Sequence, residues 1–178
     1  MPLTEKLEIP KEVSVSYLNN IILVKAGKSQ CQRKFIDKKI TLEVSNEITF
    51  KSQEDNKRAR KIIGSYIAHL KNMFKGVLEG HHYIMKICSG HFPMTVAVQK
   101  GEFTVKNFLG EKVPRILKLK ENVNVKVEGD QVKIDSADKE LAGQTAGSIE
   151  KLTRRPGFDT RIFQDGIYII SKAGKVIK

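Results

Sequence analysis

The feature that most constrains this chain is an internal echo, because identical residues recur when the sequence is shifted against itself by 83 positions. Self-similarity at a fixed offset is what a duplicated structural unit leaves in a sequence. At 178 residues the chain can hold two small domains, which are predicted here as residues 1–84 and 85–178. The alternative is that the matching residues recur by chance in two β-rich halves. The identical pairs are Pro10 and Pro93, Val13 and Val96, Val15 and Val98, Gly27 and Gly110, Ala59 and Ala142, Gly64 and Gly147, and Ser65 and Ser148.

The order of predicted elements also repeats. Alternating valines predict strands in segments such as 13–15, 94–98 and 123–127, with hairpin turns at 19–20 and 129–130. Apolar residues at three- and four-residue spacing predict a helix over 54–79, begun by a capping box of Ser52 and Asp55. A weaker helix over 138–153 contains Gly143 and Gly147, which indicates close packing on a sheet. A Tyr-Ile strand follows each helix, at 83–85 and 168–170.

The chain is basic, with a formal net charge of +12, which attracts polyanions such as RNA, DNA or an acidic membrane surface. Residues 151–178 hold seven basic and two acidic side chains, whereas residues 89–150 hold nine of each. The first 88 residues carry the remaining charge of +7. A charged stretch is most often a solvated face, so charge alone does not identify the partner.

The segment Arg154-Arg155-Pro156-Gly157-Phe158 gives the basic tail a sharper interpretation. Pro and Gly keep the chain non-helical there, while arginine can contact a phosphate with two hydrogen bonds or stack on a base. Phe158 or Tyr168 could supply an aromatic surface for a base, as RNA-binding loops do. Phe163 and Ile169 fit a core strand better, and Tyr168 fits either role.

Five segments occur in the order and spacing of one known family. They are His69-Leu70-Lys71-Asn72-Met73-Phe74-Lys75-Gly76-Val77, Gly90-His91-Phe92-Pro93, Asn107-Phe108-Leu109-Gly110-Glu111-Lys112, Gly143-Gln144-Thr145-Ala146-Gly147-Ser148-Ile149-Glu150 and Arg161-Ile162-Phe163-Gln164-Asp165-Gly166-Ile167-Tyr168. Through these segments nearly the whole chain resembles the ribosomal protein L6 family, of the archaeal and eukaryotic type. The turn at 26–29 departs from the glycine-proline-rich turn of many relatives, so no site residue is predicted there.

The resemblance implies an α+β fold of two duplicated domains, each a small antiparallel sheet packed on one helix. It also implies a structural protein that binds large-subunit ribosomal RNA (rRNA), mainly through the C-terminal domain. The expected location is near the sarcin–ricin loop and the docking region of translational GTPases, beside other ribosomal proteins. The residues predicted to bind RNA are Asn107, Phe108, Gly110, Lys112, Arg115, Arg154, Arg155, Phe158, Arg161, Asp165, Gly166, Tyr168, Lys172 and Lys175.

Within this set, five cationic side chains are predicted to contact phosphates: Lys112, Arg115, Arg154, Arg155 and Arg161. The glycines at 110 and 166 are expected to permit close backbone approach. Asp165 is expected either to orient an arginine or to accept a hydrogen bond from a ribose hydroxyl. The residues after Lys172 are expected to become ordered on RNA.

The sequence offers little support for an enzyme. It lacks a glycine-rich phosphate loop and a local catalytic motif, and we predict no cofactor. His81, His82, Cys88 and His91 match no closed zinc spacing, so a metal is not predicted. Cys31 and Cys88 are too few for a disulfide framework, and neither a secretion signal nor a membrane-length apolar run is present, which predicts a cytoplasmic protein.

Two rival classes stay open on the sequence alone. A ribosome-assembly or regulatory RNA-binding factor would share the basic loops but leave the ribosome when its task is complete. A protein-interaction module would use its sheets to add strands to partners, and its charge would serve solubility.

Overall fold

The computed structural model describes residues 3–27, 29–37, 39–45, 47–90, 92–159 and 161–177. The chain divides into two compact units, residues 1–80 and 81–178. Each unit combines antiparallel strands with one α-helix, which confirms the predicted α+β class and the internal duplication. No helix in the described ranges is both long and apolar enough to span a lipid bilayer.

The first unit contains six described strands and one helix. Two three-stranded sheets form, in the orders β1-β6-β5 and β2-β3-β4. The strands are β1 (Leu3–Glu8), β2 (Ser14–Leu18), β3 (Ile21–Ala26), β4 (Ser29–Lys34), β5 (Ile40–Val44) and β6 (Glu47–Ser52), and the helix is α1 (Lys57–Leu78). The predicted turn at 19–20 joins β2 to β3, and both asparagines have positive φ, as a tight hairpin requires.

The second unit repeats this order and then adds two strands. Its sheets have the orders β10-β9-β8 and β11-β12-β7-β13-β14. The elements are β7 (His81–Cys88), β8 (Thr95–Gln99), β9 (Glu102–Lys106), a 3₁₀ turn (Phe108–Gly110), β10 (Arg115–Lys118), β11 (Asn124–Glu128), β12 (Gln131–Ser136), α2 (Lys139–Leu152), β13 (Gly166–Lys172) and β14 (Lys175–Val176). The strand at 175–176 pairs with β13, so this part of the tail has a partner within the protein.

The sequence pattern predicts that the Tyr-Ile strand at 83–85 ends the first half, but the structure places this strand in the second unit. It belongs to β7, which lies in the second unit between β12 and β13. There Met85 faces Val132 on one neighbour and Ile169 on the other. Within its unit β7 therefore has the place of β1, and the compact units meet at 80–81, four residues before the predicted boundary.

Each unit has its own apolar core, formed by the strand residues that alternate inward and by one face of the helix. Strand β6 buries Ile48 and Phe50, and strand β12 buries Val132 and Ile134 at corresponding places. Burial of such a side chain contributes about 1.5–3 kcal/mol.

The helix limits match the prediction with one correction. Helix α1 begins after Asn56, whose side chain accepts a hydrogen bond from the Ala59 N–H at 2.7 Å. The predicted capping box is wrong, because Ser52 ends β6 and does not cap the helix, while Asp55 forms an ion pair with Arg60 at 2.6 Å. In α2, a Cβ on Gly143 would lie 3.2 Å from the Tyr83 hydroxyl oxygen, which confirms the predicted close approach to the sheet.

Candidate nucleic-acid interface

An irregular loop, residues 154–165, connects α2 to β13 and is fastened at both ends. At its start the buried Thr153 hydroxyl accepts a hydrogen bond from the Ile167 N–H at 3.0 Å. At its end the buried carboxylate of Asp165 accepts a hydrogen bond from the Gly90 N–H. The loop therefore leaves and rejoins the fold at fixed points, while residues 154–159 are exposed to solvent.

This loop, the end of α2 and the 3₁₀ turn enclose a groove of about 580 Å³, which we call the loop groove. Its lining combines cations with aromatic rings, the pairing used by proteins that bind single-stranded nucleic acid. The lining residues are Phe108, Leu109, Gly147, Glu150, Lys151, Thr153, Arg154, Arg155, Pro156, Gly157, Phe158, Phe163, Asp165 and Tyr168.

The most specific contact in the loop groove is a stack of one guanidinium on one ring. The Arg155 guanidinium carbon lies 4.3 Å from the centroid of Phe158, within the range of a cation–π interaction. Phe158 in turn packs edge-on against Phe163, with 4.9 Å between the ring centroids. Phe158 keeps 39% of its surface exposed, so an exposed aromatic ring and a charge are presented together.

Tyr168 supplies a second exposed ring, also 39% exposed, on the same groove. Its ring folds over Gly166, where a Cβ would lie 3.0 Å from the Tyr168 hydroxyl oxygen. Gly166 is buried, and the absence of a side chain at this position leaves room for the Tyr168 ring. Partial burial raises the pKa of the Tyr168 hydroxyl above its usual value, so this group stays a neutral hydrogen-bond donor and acceptor.

Arg115, which is predicted to contact a phosphate, forms internal contacts in the structure, and the phosphate contact stays a prediction. Its guanidinium donates hydrogen bonds to both Glu111 carboxylate oxygens, at 2.8 and 2.7 Å, and to the Leu152 carbonyl at 2.6 Å. It also lies 4.4 Å from the centroid of the Phe108 ring, which is buried. Arg115 and Phe108 therefore join the 3₁₀ turn to the end of α2, and these two elements form part of the wall of the loop groove.

The bond from Arg115 lowers the pKa of the Glu111 carboxyl below its usual value, and the charge of Arg155 acts in the same direction. Glu111 remains ionised in consequence, and its Oε1 lies 3.9 Å from an Arg155 nitrogen. This carboxylate therefore orients Arg155 from one side while Phe158 contacts it on the other.

The remaining predicted residues lie outside the lining of the loop groove. Asn107 donates a hydrogen bond to the Pro93 carbonyl at 3.0 Å, and Gly110 packs against the Phe92 ring with positive φ. Arg161 is paired with Asp159 at 2.8 Å, although its side chain is 88% exposed. Lys112, Lys172 and Lys175 are exposed.

Sequence reasoning missed Lys151 and Gly147, which line the groove from the last turns of α2. Lys151 and Arg154 are exposed and form no ion pair with the residues that the structure describes. The sequence signal that could have identified Lys151 is its position near the end of the predicted helix, three residues before Arg154 and four before Arg155. At Gly147 a Cβ would meet nothing within 4 Å, so this glycine opens the groove and does not approach the sheet.

The histidines considered as a metal site do not form one with the described residues around them. His81 is buried, and the exposed His82 ring lies 2.6 Å from an Asp135 carboxylate oxygen. His91 lies outside the described residues. Within the described ranges, no group of three or more His, Cys, Asp or Glu side chains could hold a metal ion.

The fold defines a class, a protein built from two copies of one α+β unit, and the loop groove gives the second unit a basic surface with exposed aromatic rings. The family described as "Ribosomal protein L6" matches residues 9–80 and 92–166, one segment in each unit. A "Large ribosomal subunit protein uL6" of Methanococcus vannielii is 43% identical over 174 residues, covering 97% of this chain and 96% of the relative.

Proteins of the same name in Methanobrevibacter smithii and Methanosarcina mazei are 42% and 41% identical. These alignments cover 94% of this chain and 95% and 96% of the relatives. The chain therefore belongs to the ribosomal protein L6 family. It is a structural, non-enzymatic component of the ribosome and acts there in the cytoplasm.

Proposed function

We propose that this protein binds large-subunit rRNA through its second unit, with the loop groove as the principal contact. The observation that carries the proposal is the Arg155–Phe158 stack beside Arg154 and Lys151, which form no ion pair with any described residue. Arginine and lysine contact phosphates, while the exposed rings of Phe158 and Tyr168 offer faces on which a base can stack. The relatives that carry the name of a large-subunit protein support this assignment.

We further propose that the rRNA bound lies near the sarcin–ricin loop, beside the docking region of translational GTPases. Hydroxyl-radical probing of large-subunit rRNA, with and without the full-length protein, tests this location. Protection of sarcin–ricin nucleotides is expected, and its loss in an Arg154→Gln, Arg155→Gln variant assigns the protection to the loop groove. Protection confined to other helices of the rRNA would contradict the proposed location.

The affinity for rRNA should be mainly electrostatic, because phosphate contacts release counterions. Replacing Arg154 and Arg155 by Gln is expected to flatten the plot of log affinity against log salt by about one to two units. The matched control replaces Lys118 and Lys126, two exposed lysines of the same unit that lie outside the groove, by Gln. An equal flattening in both variants would mean that net charge and not the groove governs binding.

Sedimentation in a high-salt sucrose gradient separates a permanent ribosomal component from an assembly factor. A tagged copy is expected to remain stoichiometric with mature large subunits and with translating polysomes. Recovery only with immature subunits would favour the assembly or regulatory alternative.

A further inference from the structure

The first unit carries a basic surface of its own on helix α1. Six exposed positions of this helix follow one another at alternating intervals of four and three residues, which places them on one face of the helix, in a stripe about 80° wide. With a rise of about 1.5 Å per residue, the stripe is about 27 Å long. Its members, which we call the lysine row, are Lys57, Lys61, Gly64, Ala68, Lys71 and Lys75.

The charges of the lysine row are almost entirely uncompensated. Among the residues that the structure describes, Lys57, Lys61 and Lys71 form no ion pair, and Lys75 lies 3.8 Å from Glu79. The helix itself contains no Asp or Glu. A helix face that only meets water gains stability from acidic and basic residues four positions apart, and this row lacks such pairs within α1.

The first turn of α1 shows the same imbalance. It contains basic residues and no acidic one, although the positive end of the helix dipole disfavours cations. Only Arg60 is neutralised there, by the pair with Asp55. This arrangement is unfavourable in the free protein and becomes favourable when an anion lies against Lys57 and Lys61.

The centre of the lysine row carries only small residues, Gly64 and Ala68. A Cβ on Gly64 would meet nothing within 4 Å, so packing inside the unit does not require glycine at this exposed helix position. Glycine also lowers helix stability relative to alanine. With Ala68 one turn later, it forms a low surface between the pair Lys57 and Lys61 and the pair Lys71 and Lys75, whose midpoints are about 21 Å apart.

We propose that the lysine row is a second RNA-binding surface, separate from the loop groove, and that it holds a double-stranded RNA segment across its minor groove. The minor groove of A-form RNA is wide and shallow and is recognised through its shape and its phosphates. In this arrangement the two lysine pairs contact the phosphates on either side, and Gly64 and Ala68 lie over the groove. Lysine contacts phosphate as a mobile point charge, so binding depends on duplex shape and little on base sequence.

The test measures binding of the full-length protein to a fluorescent 24-base-pair RNA duplex over a range of salt concentrations. Replacing Lys57, Lys61 and Lys71 by Gln is expected to flatten the plot of log affinity against log salt by about two to three units. The control replaces Lys11, Lys25 and Lys34, three exposed lysines of the same unit, by Gln, which removes the same charge. An equal effect of both triple variants, or no effect of the first, overturns the proposal.

A second variant, Gly64→Gln with Ala68→Gln, leaves the charge unchanged but adds bulk at the centre of the row. It is expected to leave the melting temperature nearly unchanged, because the gain in helix propensity from Gly64→Gln is largely offset by the loss from Ala68→Gln. Duplex affinity is expected to fall at least tenfold. Unchanged affinity overturns the docking of the minor groove on this face.

Two further measurements separate the possible failures. Loss of polyglutamate binding in the Lys57, Lys61 and Lys71 variant, with duplex binding retained, would make an acidic protein the partner and overturn the proposal. The Arg154→Gln, Arg155→Gln variant, tested on the duplex alone and combined with the lysine variant, reports on the loop groove independently. A full effect of the lysines on duplex binding with no effect of the arginines would support the row, whereas a null result for the arginines on large-subunit rRNA would contradict the groove assignment alone.

Discussion

Replacing Arg115 by Met is the change for which the structure permits the most specific expectation. Methionine keeps much of the aliphatic volume but removes the cation that joins the 3₁₀ turn to the end of α2. The change deletes two hydrogen bonds to Glu111, one to the Leu152 carbonyl and the contact over the Phe108 ring. The Arg115 side chain is only 23% exposed, so water replaces these contacts incompletely.

The magnitude follows from these contacts. A hydrogen bond to a charged group contributes about 1.5–3 kcal/mol, and a cation–π contact about 0.5–1 kcal/mol or more. Glu111 is 30% exposed and can be rehydrated after the substitution, which offsets part of the loss. We expect the free energy of unfolding of the second unit to fall by about 2–3 kcal/mol. For a unit of roughly one hundred residues, this corresponds to a decrease in melting temperature of about 10–20 °C.

Urea denaturation followed by circular dichroism measures the loss, and hydrogen exchange of peptides from each unit assigns it to the second one. Arg161→Met is the matched control, because Arg161 also pairs with a carboxylate but is 88% exposed. It should leave the urea midpoint unchanged. An Arg115→Met protein as stable as the unsubstituted chain would show that this network does not stabilise the loop groove.

Three further predictions follow from single contacts. The pKa of the Glu111 carboxyl is lowered in the folded state, so the ionised carboxylate should stabilise the fold fully above the usual glutamate pKa of about 4.3. This stabilisation should be lost as pH falls through the lower folded pKa, and the free energy of unfolding measured against pH should show the loss. In Glu111→Gln this pH dependence should be absent. Thermal unfolding of Gly147→Ala should show a gain of about 1 kcal/mol that Gly143→Ala does not show, because a Cβ at 143 meets Tyr83; equal gains would contradict this packing. Asn56→Ala should cost about 1 kcal/mol by urea denaturation whereas Asn56→Asp should not, and equal losses would argue against the cap.

Much of the fold could be predicted because it rests on local patterns. The alternating valines and the spacing of apolar residues in α1 both reflect which face of each element meets the core. The hairpin at 19–20 was predictable since asparagine tolerates positive φ. The capping box failed because Ser52 ends strand β6, and Asn56, four residues later, caps the helix.

The structure places the predicted site residues in different surroundings. Arg154, Arg155 and Phe158 are adjacent in sequence, and the structure brings them together on one groove with Tyr168. The sequence predicts a phosphate contact for Arg115, which stays a prediction, but it does not show that Arg115 has a carboxylate partner within the protein. The structure places it against Glu111 and the carbonyl end of α2.

By itself, the sequence determined that the chain is duplicated, basic, α+β in composition and a relative of one ribosomal family, because these properties reside in residue identity and short-range periodicity. Only the tertiary structure decided that the strand at 81–88 belongs to the second unit, which exposed rings share a groove with Arg155, and which arginines are already paired. Those outcomes depend on pairings between residues far apart in the chain, which are settled by the burial of apolar faces and the neutralisation of charge, and no local pattern records them.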